Sequence, residues 1–397
     1  MTLRSLDHIS QFENKRVLVR VDFNVPMQNG RITDDTRMQT ALPTIRFIRE
    51  RRAKVGLLAH FDRPKGKRVP SMSLGPLIGP LSVLLEQPVV FANDCIGPDA
   101  KVAIDRLAAG GIVLFENVRY HAGEEANDPD FARALAANGN IYVNDAFSVA
   151  HRAHASTEGI AHLLPSYAGL ALQRELEQLE RVLGKPRHPF MGIVGGSKIS
   201  SKIDLLKTLV TKLDRLALGG ALANTFLFAK GWAVGASHYE KELAETALEI
   251  ERLALANECE ILLPVDVIVA RDLEPDAPFF VRRIGEVEDN ERILDAGPET
   301  LARLRQAMKI SATLIWNGPI GAFETVPFDR GTVAVARAAA KMTRRGNLIS
   351  VAGGGDTVSA LKHAGIADDF TFVSTAGGAF LEWVGGATLP GVAVLTT

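Results

Sequence analysis

The stretch GLALQRELEQLERVLGKPRHP, Gly169 to Pro189, decides how the chain is divided. Leu172, Leu176, Leu179 and Leu183 recur at helical spacing, and the positions between them are mostly charged. The segment reads as one amphipathic helix that stops at Gly184 and Pro186. On either side of it, short apolar β-rich runs alternate with helical patterns along nearly the whole chain. That alternation predicts α/β layers on parallel sheets. The helix is therefore the expected boundary between two domains.

A chain of 397 residues is long enough for sizeable cores. Its formal net charge of −1 gives no reason to expect a nucleic-acid or membrane partner. No apolar run approaches the roughly 20 residues of a membrane span. The first residues, MTLRSLDHISQFENKRVLV, lack the apolar core of a signal segment. The 2 cysteines, Cys95 and Cys259, form no C-x-x-C, so a cytoplasmic location is expected. The histidines make no H-E-x-x-H, and no spacing suits structural zinc.

The two halves end their strands differently, and ligands of open α/β sheets bind beyond the carboxyl ends of the strands. In the first half, RVLVRVDFN ends at Asp22 and Asn24, with Arg37 following in DDTR. KVGLLAHFDR ends at His60 and Arg63, GIVLFENVR at Arg119, and IYVNDAFSVAHR at His151 and Arg152. Guanidinium groups gathered at one sheet edge suit a compact, highly charged anion. The second half ends its strands in glycine: Gly195-Gly196, Gly219-Gly220, Gly353 to Gly355 and Gly377-Gly378. Exposed backbone amides at such turns suit a nucleotide and its phosphates. Lys198 and Lys202 in GGSKISSK stand four apart at a predicted helix start, which would put both on one helical face.

In LISVAGGGDTVSAL, Leu348 to Ala352 reads as a buried strand and Thr357 onward as a helix. Asp356 between them would repel a bare phosphate. Either it caps the helix, or the anion arrives with a cation. An anion edge in one half and a phosphate floor in the other suggest phosphoryl transfer. No Walker lysine motif, protein-kinase signature or G-x-G-x-x-G loop is present. A nicotinamide-dependent oxidoreductase of two α/β domains and a non-catalytic two-lobed anion-binding protein stand as the alternatives.

RVDFNVP, DDTR, RPKG, ENVRYHAGEE, AHRAHAST, VGGSKISSKI, IWNGPIGAFE and AGGGDT follow one another along the chain. In content and order they resemble the phosphoglycerate kinase family, and the resemblance covers essentially the whole chain. It implies an α/β fold of two Rossmann-like domains with parallel sheets joined by an interdomain helix. The first domain, residues 1–172, would bind 3-phosphoglycerate; the helix would span 173–186. Residues 187–376 would bind nucleotide, and the segment from about 377 to 397 would fold back on the first domain.

The resemblance also implies the site. Asp22, Phe23, Asn24, Arg37, His60, Phe61, Asp62, Arg63, Arg119 and Arg152 would hold 3-phosphoglycerate or 1,3-bisphosphoglycerate. Lys202, Gly219, Gly220, Asn317, Pro319, Glu324, Gly354, Gly355, Asp356 and Thr357 would hold ATP or ADP, with Glu324 on the ribose and Asp356 on Mg2+. Lys198, Arg37 and the amides of Gly377 and Gly378 would surround the phosphoryl group in flight within a closing cleft. A monomer is the family expectation. The acceptor is a carboxylate, ionised at neutral pH, so no general base is needed. His60, His151 and His154 accordingly read as anion contacts or structural groups. The chain departs from the family pattern at Asp62 and Ala376, each of which replaces a glycine.

Overall fold

The computed structural model of the protein describes residues 3–28 and 30–396. The chain forms two compact units, one running to Glu177 and including the residues from Thr388 onward, the other Gln178–Ala387. The dividing segment is α-helical over Leu170–Leu179 and continues as a π-helical turn over Glu180–Gly184. The division thus falls inside the helix. The return to the first unit begins at Thr388 and not near residue 377, because helix Gly377–Val384 belongs to the second unit. There Phe380 packs so closely on Gly353 that a Cβ at Gly353 would lie 2.3 Å from its ring.

The first unit is built on a six-stranded sheet with parallel pairing throughout. From edge to edge its strands are Val89–Ala92, Ile112–Phe115, Lys54–Leu58, Arg16–Arg20, Ile141–Asn144 and Ser166–Ala168. Successive strand residues face opposite sides, and both sides are buried. Val17 and Val19 join one core with Val55, Leu57 and Leu114, while Leu18 joins the other with Val113, Phe115 and Tyr142. The strand order reverses between Arg16–Arg20 and Ile141–Asn144, and the crevice at such a reversal is where α/β sheets bind ligands.

The second unit repeats the plan with strands Glu260–Leu262, Arg215–Leu218, Phe190–Val194, Thr313–Asn317, Ile349–Gly353 and Phe372–Ser374, in that spatial order. The reversal lies between Phe190–Val194 and Thr313–Asn317. A three-stranded antiparallel sheet is added beside it, with Asp266–Ala270 between Phe280–Arg283 and Arg292–Ala296. Parallel-sheet patterning does not anticipate this sheet. Its own small core is Val267, Val269 and Val287.

Two local readings are corrected. The helix after the glycine triplet starts at Gly355, with Gly354 at φ +102° as its cap residue. Asp356 is therefore in the first turn and is not the N-cap. It is exposed, where a carboxylate still complements the positive helix end. Lys198 lies in irregular backbone, Ser200 to Lys202 form a turn, and helix Ile203–Leu209 begins only after Lys202. Glu240 fixes this turn by accepting from the Ser200 N–H at 3.0 Å and the Ser200 hydroxyl at 2.5 Å. The two lysines do not share a helical face.

Candidate functional site

In the first unit the strand exits converge on His60. The Arg37 guanidinium lies 3.0 Å from Asp22 Oδ2 and donates to the Asn24 carbonyl at 3.1 Å. Ser148 Oγ donates to the same Asp22 oxygen at 2.6 Å. Arg119 is buried and donates through Nη1 to the Asp62 carbonyl at 2.8 Å. Arg152 donates to His151 Nε2 at 3.2 Å, and Arg63 is exposed. Burial, then the charges of Arg20, Arg119, Arg37 and Arg152, hold the His60 pKa well below the usual histidine range. Arg20 Nη2 lies 3.1 Å from His60 Nδ1, and the charges of the other three act on the same imidazole. His151 and His154 are also depressed, each to about 4, by burial first and by neighbouring arginines next. Imidazoles this weakly basic are poor proton acceptors at neutral pH.

Asp62 sits at φ +51°, in the left-handed region where glycine is unstrained and Asp is tolerated. Its carboxylate is exposed, while its N–H donates to Asn24 Oδ1 at 2.9 Å and its carbonyl holds Arg119. The glycine-to-aspartate departure therefore leaves the backbone contacts of the loop in place. Phe23 and Phe61, grouped with the site by their motifs, are core residues. Both backbone groups of Phe61 are taken by Asn117, at 3.2 and 2.7 Å.

In the second unit a cavity of about 630 Å³ is lined by Gly196 and Gly220 from two of the glycine strand ends, together with Pro319, Glu324, Asp356 and Leu294; Gly354, Gly355, Gly377 and Gly378 are not among its lining residues. Chain crossing at its floor demands glycine: a Cβ at Gly195 would lie 1.8 Å from the Pro319 carbonyl oxygen. Gly220, at φ +64°, starts helix Gly220–Ala229, capped by Gly219. Lys202 donates to the Gly195 carbonyl at 2.6 Å and to Asn317 Oδ1 at 2.7 Å. Burial, partly offset by the Asp356 carboxylate, brings its pKa down to about 8. Asn317 Nδ2 donates to the Gly353 carbonyl at 2.6 Å. The Thr357 hydroxyl is buried between strand ends, accepting from Gly318 N–H at 2.7 Å and donating to Gly353 O at 2.8 Å. Asn317 and Thr357 thus brace the floor.

Lys198 is exposed and has no ion pair among the described residues. Gly377 and Gly378 open helix Gly377–Val384, so their N–H groups belong to the first turn, which has no intrahelical acceptors. Ala376 precedes them at φ −95°, a conformation open to any residue, so its departure from glycine brings no strain.

Sequence reading missed Arg20, Ser156 and Glu124, all buried behind His60. The available signal was an arginine within the apolar run of RVLVRV. It also missed Asn224, Ser237 and Arg292, which line the cavity from segments without motifs. Asp94, Cys95 and His121 lie close enough to share a metal ion. Asp94 is already occupied by His121 at 2.8 Å and Arg68 at 3.5 Å, and burial pushes the Cys95 thiol well up, away from the thiolate a metal needs.

The structure thus has two doubly wound units, one edged with guanidinium groups and one with glycine strand ends around a lysine. The family model described as phosphoglycerate kinase matches residues 6–387. The chain is 61% identical over 395 residues to a phosphoglycerate kinase of Caulobacter vibrioides, covering 100% of both. It is 56% identical to one of Rhizobium meliloti, covering 100% of this chain and 99% of the relative. The solved phosphoglycerate kinase of Coxiella burnetii superposes with a TM-score of 0.88 at 42% identity, over 100% of this chain and 99% of that one. The chain belongs to the phosphoglycerate kinase family, whose members are phosphotransferases with a carboxyl group as acceptor. No support exists for the oxidoreductase or the purely binding alternative. Among the described residues no helix is long and apolar enough to cross a membrane.

Proposed function

We propose that the chain interconverts 1,3-bisphosphoglycerate plus ADP with 3-phosphoglycerate plus ATP, by in-line transfer of the phosphoryl group. The observation that carries this reading is the convergence of Arg37, Arg119 and Arg152 on a histidine kept uncharged, in a chain of this family. Asp22, Asn24, Arg37, His60, Arg63, Arg119 and Arg152 would bind the phosphoglycerate, with Asp62 taking part through its backbone. Gly219, Gly220, Pro319, Glu324, Gly354 and Gly355 would form the nucleotide's bed, steadied by Lys202, Asn317 and Thr357. Lys198, Arg37 and the first amides of helix Gly377–Val384 would neutralise charge on the transferred oxygens. The two proposed ligand sites lie on different units.

Asp356 fits a magnesium ion that accompanies the nucleotide: it is an exposed oxygen donor lining the cavity, and Mg2+ takes one or two carboxylates besides phosphates. Bound there, the ion would offset phosphate charge. A monomeric cytoplasmic enzyme without nucleic-acid or membrane partners completes the reading, supported by the family and the near-zero net charge. A coupled assay with 3-phosphoglycerate, ATP and magnesium should show turnover that a chelator abolishes. Nicotinamide oxidation or reduction by the protein itself, or ligand binding without turnover, would contradict the proposal.

The Lys202 pKa of about 8 gives nucleotide binding a proton signature. An anion placed nearby favours the ammonium form, so binding raises this pKa. Between about pH 8 and 9 part of the amine is neutral before binding and protonated after it. Binding then takes up protons, and affinity falls as pH rises past about 8. Calorimetry at pH 8.5 in buffers of different ionisation heat should show uptake that disappears in Lys202→Met. Equal uptake in both proteins would assign the proton to another group.

A further inference from the structure

Arg20 ends a central strand and is completely buried, as are Ser156 and Glu124 beside it. A guanidinium only donates hydrogen bonds, and that fixes every direction in the surrounding network. Arg20 Nη1 donates to the Val21 carbonyl at 2.6 Å, and Nε donates to Ser156 Oγ at 2.9 Å. The Ser156 hydroxyl proton is then left for Glu124 Oε1, 2.6 Å away, and Glu124 Oε2 accepts the Ser156 N–H at 2.9 Å. Both Glu124 oxygens accept from Ser156, His154 Nδ1 lies 3.7 Å from Oε1, and the Arg20 charge opposes the upward push of burial on the Glu124 carboxyl, which makes Glu124 the buried counter-group to Arg20. The third arm, Nη2, lies 3.1 Å from His60 Nδ1. That ring nitrogen must accept. His60 Nε2 makes no hydrogen bond to any described residue.

We propose that Arg20, braced by Ser156 and Glu124, is a positioning residue that holds His60 as the neutral tautomer with its proton on Nε2, presented to the phosphoglycerate. This rests on the assignment of this edge to that substrate. A proton on Nδ1 would face the Nη2 donor, so the arrangement excludes both the imidazolium and the other tautomer. Arg37, Arg119 and Arg152 are the other charged groups that act on the ring, and all are cationic. His60 thus adds a directed N–H among cations without adding charge. A neutral donor of this kind suits an anionic oxygen of the ligand.

The test is two-bond 1H–15N correlation of the histidine rings in the full chain, with His60 assigned through His60→Gln. Between pH 6 and 8 His60 should show a protonated Nε2 and a bare Nδ1. A protonated Nδ1, or an imidazolium at pH 7, overturns the proposal. In the double variant Arg20→Gln with Glu124→Gln, shown to be folded by its thermal transition, the ring loses its obligatory donor at Nδ1 and His60 should show both neutral tautomers. An unchanged His60 signature there removes Arg20 from the role. Binding supplies a separate readout. His60→Gln, whose amide N–H can stand near the place of Nε2–H, should keep 3-phosphoglycerate affinity within about threefold, while His60→Asn loses about tenfold. If 3-phosphoglycerate leaves the His60 signals of the free protein unmoved, the substrate assignment falls and the tautomer stands.

Discussion

Lys198→Ala is expected to lower turnover by about a hundred- to a thousandfold, the usual effect of removing one donor aimed at developing charge. Nucleotide affinity should change far less. The contrast with Lys202 supplies the reason. Lys202 is fixed between the Gly195 carbonyl and Asn317 Oδ1, inside the floor beneath the cavity. Lys198 is exposed and follows the strand exit at Gly195-Gly196 by two residues. A fixed cation interacts with the bound nucleotide in ground and transition state alike, so losing it appears mainly in affinity. A cation free to follow the phosphoryl group acts mainly in the transition state, and its loss appears in kcat. Calorimetric nucleotide constants and saturated rates for Lys198→Ala and Lys202→Ala separate the two. If both variants lose nucleotide affinity equally, the division of labour is wrong.

The legible part of this protein was whatever depends on short-range pattern. Apolar runs gave the strands because both faces of each sheet are buried, and strand exits gave the guanidinium edge because those residues follow their strands directly in the sequence. The paired lysines misled because four-residue spacing means a shared face only inside a helix, and Glu240, forty residues away in sequence, holds Ser200 in a turn instead. The antiparallel sheet of the second unit was hidden because its strands interrupt the βα alternation without turn signals of hairpin type. Arg20, Ser156 and Glu124 were hidden for a different reason. Hydrogen-bonded pairs at sequence separations of 136 and 32 leave no local trace, and a buried charge reads in sequence as an exposed one.

Arg119→Ala is expected to weaken 3-phosphoglycerate binding by about two to three orders of magnitude, the range for truncating one member of a buried, hydrogen-bonded charge pair. Arg119 is only 4% exposed, whereas Arg63 beside it is open to water. A charge contact made in a poorly hydrated place is screened less, so each guanidinium–anion bond there is stronger. The group is also pre-positioned. Nη1 is tied to the Asp62 carbonyl at 2.8 Å, and Nε lies 3.3 Å from Glu125 Oε1 without the alignment of a hydrogen bond. A buried donor left in that condition is suited to an incoming anion. Arg119→Lys should recover little, because a single ammonium cannot replace a planar fork. Arg63→Ala should lose about tenfold or less, as expected of a solvated contact. Nucleotide affinity should stay unchanged in all three, since the cavity lies in the other unit. Titration calorimetry with each ligand decides the matter. A change of threefold or less for 3-phosphoglycerate in a folded Arg119→Ala protein would mean that Arg119 serves the loop through Asp62 and does not hold the substrate.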